Sequence, residues 1–390
     1  MSADPLSIEA LCAGLDIPDW VKRFDHIPGG KVVFGRGTID QLGEEAAALG
    51  ASNALLVTDP GLAKTEWVER AVQSLLHEVG SVVVFDQVHE NPTTVDVDLC
   101  VEVASKGEID LIIGLGGGSS MDTAKGANFI LTNGGTMHDY WGVDKATQPM
   151  LPLIAVPTTS GTGSECQSFA LIGDAKSHAK MACGDKKAAA AVAILDPELT
   201  VTMPSAVTAH TGIDAIAHAL ETAVCNKRSD ISSAYSQAAW QLLEQGLERV
   251  MTDPENKEAR ARMQLGAAFA GIAIENSMLG IAHSCANPLT AHFDLVHGQA
   301  VGTMLPQVIE FNSQDPDIAA IYQKLHEGDL AARVRDLLAA SEMDLSLSDL
   351  NVDDSMIPQL AAEAAEQWTA QFNPVPVDAE SLEKVYRAAA

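Results

Sequence analysis

Leu111-Ile112-Ile113-Gly114-Leu115-Gly116-Gly117-Gly118-Ser119-Ser120-Met121-Asp122-Thr123-Ala124-Lys125 is the stretch that decides the fold. The unbroken apolar run at 111–115 predicts a strand buried on both faces. Three glycines then release the backbone into a tight turn, and the residues after them predict a helix. Strand, glycine turn and helix together leave free N–H groups and the positive end of a helix dipole where a phosphate would sit. The same string also reads as a plain strand-to-helix turn with Ser119 as its cap.

Working outward, further β-rich runs lie at 31–34, 54–58, 81–85 and 153–156. Residues 67–79 place Val68, Ala71, Val72, Leu75 and Leu76 at helical spacing, and 95–105 do the same with Val97, Cys100, Val101 and Ala104. Strand, helix and strand in repeated order predict a parallel α/β sheet. Near Pro204 the pattern changes to Ala, Leu, Glu and Gln, and 232–250 and 257–274 read as long helices. The expected organisation is an α/β domain at 1–203 and an all-α domain at 204–390.

Two more features accompany the glycine turn. Asp59 follows the strand at 54–58, where a carboxylate can accept hydrogen bonds from ribose hydroxyls and repel a 2′-phosphate. Asp59-Pro60-Gly61 is equally a good turn sequence. Pro157-Thr158-Thr159-Ser160-Gly161-Thr162-Gly163-Ser164-Glu165 follows another buried strand, with hydroxyls suited to a nucleotide or to a polar turn. The acid here precedes the glycines, whereas the ordinary dinucleotide fingerprint has it about 20 residues after them. An ordinary Rossmann domain is therefore not expected.

The helical half carries a second constellation. Asp214 and His218, four residues apart among apolar neighbours, share one helix face. A buried carboxylate and imidazole need partners, met either by each other or by a metal. His283 and His297 add two imidazoles. A straight helix would hold them about 21 Å apart, so the chain must turn between them, and Pro288 is expected to end the helix there. One Asp and three His suit Fe(II) or Zn(II). His292 is a weaker fifth candidate. The other histidines, His26, His77, His89, His138, His178, His210 and His326, read as peripheral.

The sequence has 24 Lys and Arg against 53 Asp and Glu, a formal charge of −29. Such a surface repels phosphate backbones and anionic lipid, which argues against nucleic acid and membrane surfaces as partners. At 47% hydrophobic and 20% charged, the composition excludes a largely disordered chain. There is no apolar run long enough for a transmembrane helix, and the acidic N-terminal stretch does not read as a secretory signal. Six scattered cysteines without a C-x-x-C pair read as free thiols of a reducing cytoplasm.

Together, GGGSSMDTAK (116–125), PTTSGTGSE (157–165), DPELT (196–200), GIDAIAHALE (212–221) and His283 with the later His297-Gly298 resemble the iron-containing (group III) alcohol dehydrogenases. The resemblance runs from about Lys31 to the closing NPVPVDAESLEKVYRAA. It implies a dehydroquinate synthase-like fold and a metal-dependent oxidoreductase passing hydride between a small alcohol and NAD. Primary alcohols, diols and hydroxy acids, with their aldehydes or ketones, are the implied substrates. Carried over position by position, Asp214, His218, His283 and His297 match the metal ligands, for Fe(II) or alternatively Zn(II), and Asp214 and His297 are expected to serve catalysis. Asp59 matches the acid that favours NAD over NADP. Asn91, Gly117, Gly118, Ser119, Thr158, Thr159, Thr162 and Lys180 match positions lining the dinucleotide, and Asp122 matches the acid of the glycine-loop motif. A homodimer or larger homo-oligomer is implied. The scaffold alternatives are a transhydrogenase and a redox-neutral lyase, the latter disfavoured by the shortage of Lys and Arg near the ligand positions. Many members carry a histidine, often assigned to proton relay, four residues after the third ligand; this chain has Asn287, which cannot accept a proton near neutral pH.

Overall fold

The computed structural model describes residues 5–390 except His178, so the reading of that histidine lies outside the described residues. The chain divides into two compact units. The first comprises Met1–Ile8, Phe24–Thr159 and Gly163–Thr202, and the second Glu9–Arg23, Ser160–Thr162 and Met203–Ala390. Two single-turn helices, α1 (Ile8–Leu11) and α2 (Asp19–Lys22), precede the first strand.

The first unit runs β1 (Lys31–Phe34), α3 (Leu42–Ala48), β2 (Asn53–Val57), α4 (Glu66–Glu78), β3 (Ser81–Phe85), α5 (Thr94–Ala104), β4 (Leu111–Gly116), α6 (Gly118–Asn133), β5 (Gly142–Val143), β6 (Leu153–Pro157), β7 (Phe169–Gly173), β8 (Lys180–Gly184) and β9 (Val192–Leu195). Six strands form one sheet in the order β1-β9-β6-β4-β2-β3, and every neighbouring pair is parallel. Alternate residues of each central strand enter opposite cores, as the period-2 pleat requires. Leu56, Ile113 and Ile154 pack with Leu42 of α3 and Leu75 of α4. Leu55, Ile112 and Ala155 pack with Cys100 of α5 and Met121 and Ala124 of α6. Each such aliphatic side chain contributes roughly 1.5–3 kcal/mol by leaving water. Between β2 and β3 the chain runs outward, then crosses back to β4 on the other side of β2. That reversal sets a topological switch point between the carboxyl ends of β2 and β4, where open α/β sheets bind ligands.

The sheet contains one strand that apolar-run reading did not find. β9 is only four residues long and includes an alanine, yet it lies between β1 and β6, with Lys31 opposite Val192 and Ile154 also opposite Val192. A second, three-stranded sheet, β5-β8-β7, was likewise not expected; in it β7 and β8 are antiparallel.

The second unit holds α7 (Ser205–Val224), α8 (Asp230–Thr252), α9 (Lys257–Glu275), α10 (Ile281–Phe293), α11 (His297–Asn312), α12 (Pro316–Leu325), α13 (Leu330–Ala340), α14 (Ile357–Ala365) and α15 (Ala379–Ala389). Every residue of α7 from Gly212 to Val224 is buried. Gly212 allows that depth: a Cβ there would meet Leu247 Cδ1 of α8 at 2.7 Å and Met263 Cε of α9 at 2.9 Å. The expectation that Pro288 ends its helix is corrected. α10 continues through Pro288 to Phe293, giving up one backbone hydrogen bond while the rest of the helix holds. The turn comes at Asp294, in left-handed conformation with φ 54°, and α11 starts three residues later. All six cysteines are buried and none forms a disulfide. No helix among the described residues is long and apolar enough to cross a membrane.

Candidate active site

α7 presents Asp214 and His218 one turn apart on a buried face, and the α10–α11 turn brings His283 and His297 to the same place. The Asp214 carboxylate is the centre. Its Oδ1 lies 3.3 Å from His283 Nε2, 3.5 Å from His218 Nε2 and 3.8 Å from His297 Nε2. The rings of His218 and His283 stack at 4.9 Å between centroids. Asp214, His283 and His297 offer ligand atoms all within 4.8 Å of one another.

These distances fit a cation. Bonds of about 2.1 Å in a tetrahedral arrangement set ligand atoms about 3.4 Å apart. Asp214 Oδ1 and His283 Nε2 are both buried without a hydrogen bond, although they are close to each other. Buried polar atoms left in this way call for a further partner, and a carboxylate with three imidazoles is a donor set for Fe(II) or Zn(II). Burial disfavours charge on Asp214, but the surrounding imidazoles of His218, His283 and His297 outweigh it and hold the carboxyl below the usual carboxylate range. Burial lowers the His218 pKa, with Asp214 opposing.

Glu221, two turns along α7 from Asp214, is the residue that sequence reading missed. Its Oε2 accepts from His283 Nδ1 at 2.6 Å, and its Oε1 accepts from the Ala282 backbone N–H at 2.6 Å. With Nδ1 donating to Glu221, the His283 Nε2 lone pair is free to face Asp214 and a cation, a carboxylate–histidine arrangement that raises ligand basicity. The spacing Asp214, His218, Glu221 (i, i+4, i+7) on one helix face was the available signal. In the metal-free protein burial lowers the His283 pKa, but Glu221 and Asp214 overcome it and the value rises from 6.5 to about 9. That stabilisation is fully present below pH 6.5 and is lost as pH rises through about 9, and a cation entering at neutral pH displaces the His283 proton. Glu221→Gln keeps the size but loses the charge and one acceptor oxygen. It is expected to weaken metal binding about tenfold in a chelator-competition titration, with His283 in the metal-free protein titrating below its present value.

Gly298 explains the His-Gly pair. A Cβ at this position would lie 2.1 Å from the His210 backbone oxygen, so only glycine lets the first turn of α11 close onto α7 and set His297 beside Asp214. Gly161 likewise sits where a Cβ would meet Thr211 Cβ at 2.5 Å.

In the first unit, Asp59, Gly117–Ser119 and Thr158 follow the carboxyl ends of the adjacent strands β2, β4 and β6. Asp59 Oδ1 is held by the backbone N–H groups of Gly61 and Leu62 at 2.8 and 2.9 Å. Its Oδ2 lies 3.7 Å from where a Gly116 Cβ would be, so the second oxygen faces the glycine turn. Gly116 has φ +150°, and a Cβ there would strike Ser120 Oγ at 2.4 Å. Gly117 caps α6, and Gly117, Gly118 and Ser119 are half-exposed at the start of this 16-residue helix. Thr158 donates its N–H to Gly116 O at 2.9 Å, and Thr159 lies in van der Waals contact with the Cβ position of Gly117. Asp122 Oδ1 accepts from Ser164 Oγ at 2.9 Å; burial raises its pKa against the pull of Lys125 and Lys180. Asn91, with φ 51°, stands in the exposed turn between β3 and α5. Lys180 is the exposed first residue of β8. Thr162 clusters with the second unit.

His292 is not part of the metal cluster: it is exposed and its Nε2 pairs with Glu363 Oε2 at 2.8 Å. Asn287, one turn beyond His283 on α10, donates from Nδ2 to Gln367 Oε1 at 3.1 Å. His89 and His138 are engaged with Asp96 and Asp174 on other elements.

Comparison with known proteins identifies the family. The family described as iron-containing alcohol dehydrogenase matches residues 29–197, and its C-terminal family matches residues 208–390. The chain is similar to alcohol dehydrogenase 4 of Schizosaccharomyces pombe, with 33% identity over 92% of this chain and 87% of that protein. It is also similar to the NAD-dependent methanol dehydrogenase of Bacillus methanolicus, with 31% identity over 92% of this chain and 97% of that one. Among solved structures, a 1,3-propanediol oxidoreductase superposes with a TM-score of 0.89 at 29% identity, covering 92% of this chain and 98% of that chain. The chain belongs to the iron-containing alcohol dehydrogenase family.

Proposed function

We propose that this alcohol dehydrogenase transfers hydride between a small primary alcohol or diol and NAD, with Fe(II) held by Asp214, His218, His283 and His297. The observation that carries the reading is the convergence of three imidazoles on Asp214 Oδ1, with Asp214 Oδ1 and His283 Nε2 buried there without hydrogen bonds. NAD and small alcohols are supported by the methanol dehydrogenase and propanediol oxidoreductase to which the chain is similar. We assign the dinucleotide to residues 1–203 and the metal to 204–390.

When bound, the cation supplies Lewis acidity toward an alcohol hydroxyl and NAD supplies the hydride acceptor. The chain's own residues do the rest. Asp214 contributes the negative charge that balances the cation. Glu221 holds the proton on His283 Nδ1, so that Nε2 keeps its lone pair. Asp59 would meet the adenosine ribose hydroxyls, and Gly117, Gly118 and Ser119 would offer backbone N–H groups to the pyrophosphate; Asn91, Asp122, Thr158, Thr159, Thr162 and Lys180 are assigned to the same cofactor by the family resemblance. Asn287 donates to Gln367 and cannot accept the alcohol proton near neutral pH, so proton release falls to a group other than Asn287. The six buried thiols, none in a disulfide, suit a reducing cytoplasm, and the family resemblance supports a homodimer or larger homo-oligomer.

Deuterium tracing tests the reading. Metal-loaded protein given NAD and 1,1-dideutero-1-propanol should release deuterated NADH into solution. Unlabelled product, or deuterium that passes only to an added aldehyde without free NADH, would reject it.

A further inference from the structure

We propose that Lys125 is a positioning residue of the dinucleotide site: its buried ammonium fastens residues 164–169 to α6 and thereby holds the hydroxyl loop against the glycine turn. The inference rests on the reading of residues 116–119 and 158–159 as dinucleotide-binding.

Lys125 is 0% exposed. Its Nζ donates to Ser164 O at 2.6 Å, Ser164 Oγ at 2.8 Å, Gln167 O at 2.9 Å and Phe169 O at 3.0 Å. An ammonium has three N–H groups, so these four acceptors use all of them with one shared. An ion removed from water is tolerable only when matched this fully. Ser164 Oγ in turn donates to Asp122 Oδ1 at 2.9 Å. Cation and carboxylate, three residues apart on α6, are thus joined through one hydroxyl of the loop.

The other end of the loop is fastened separately. Thr158 N–H donates to Gly116 O at 2.9 Å, and Thr159 Cγ2 lies 3.4 Å from the Cβ position of Gly117. Thr158 and Thr159 are therefore fastened at the glycine turn, and Ser164 is fastened by Lys125. Lys125 acts through the backbone of 164–169 and the Ser164 hydroxyl, so the role is positional. A methionine in place of Lys125 fills the same space and leaves the inward carbonyls without their donor, which frees the segment rather than emptying the core.

The test compares wild type with Lys125→Met by hydrogen exchange and by NAD titration. Exchange at 158–169 should accelerate about tenfold or more, with the strands of the main sheet unchanged. The KM for NAD should rise at least about tenfold while kcat at saturating NAD stays within about threefold, a split that general destabilisation does not produce. If Lys125→Met fails to fold, Ser164→Ala removes the hydroxyl link and should show the same pattern more weakly. Unchanged exchange at 158–169 in a folded variant overturns the proposal, as does faster exchange with an unchanged KM for NAD. A wild-type protein that binds no NAD defeats the functional reading instead, and hydrogen exchange alone then decides whether Lys125 fastens the loop.

Discussion

Asp214→Ala should leave a folded protein whose alcohol-dependent NADH formation is at least about a thousandfold below wild type. Asp214 Oδ1 is the atom nearest all three imidazoles, and no other carboxylate is among the cluster's ligand candidates. Its removal leaves three neutral donors and no negative charge opposite the cation. A catalyst that relies on Lewis acidity loses several kcal/mol of transition-state stabilisation with its metal, and each 1.4 kcal/mol is about a factor of ten in rate. Metal analysis of the purified variant should show it depleted. Its circular dichroism should remain native, because a small side chain in place of a buried carboxylate removes charge without adding bulk. A variant that keeps both metal and activity would show that Asp214 is not a ligand.

Asp59→Asn should lower the preference for NAD over NADP by about a hundredfold, chiefly through better use of NADP. The amide oxygen can still accept from the N–H groups of Gly61 and Leu62 that now hold Oδ1, so the turn survives. What disappears is the negative charge beside the glycine turn. A 2′-phosphate brought near that carboxylate meets like-charge repulsion, which asparagine does not exert. Steady-state kcat/KM with each dinucleotide checks this. An unchanged ratio would place cofactor choice elsewhere.

The strands of the main sheet were legible where they were continuous apolar runs, and the residues at 111–125 located the glycine turn and its helix. β9 was not legible because its four residues owe their place to β1 and β6, and Lys31 opposite Val192 is a pairing across most of the first unit. Strand formation of that kind depends on distant partners more than on local preference. β7 and β8 escaped for the same reason, with Gly173 opposite Lys180 at one end of their ladder. Asp214 and His218 could be placed on one face by spacing alone, whereas their meeting with His283 and His297 needed tertiary structure. Pro288 misled because proline ends helices on average, yet here the turn belongs to Asp294 and the close approach to Gly298. Glu221 stood within the motif already recognised, and only its hydrogen bond to His283 gave it a role.

A cation at Asp214, His218, His283 and His297 is the proposed requirement for hydride transfer from alcohol to NAD. The most direct measurement strips the protein with a chelator without oxygen, restores Fe(II) or Zn(II), and follows NADH absorbance with NAD and small primary alcohols and diols. No NADH is expected from the stripped protein, and activity should return in proportion to metal, saturating near one ion per chain. Undiminished NADH formation by protein shown to be free of metal, or no NADH from any alcohol with either metal restored, would contradict it.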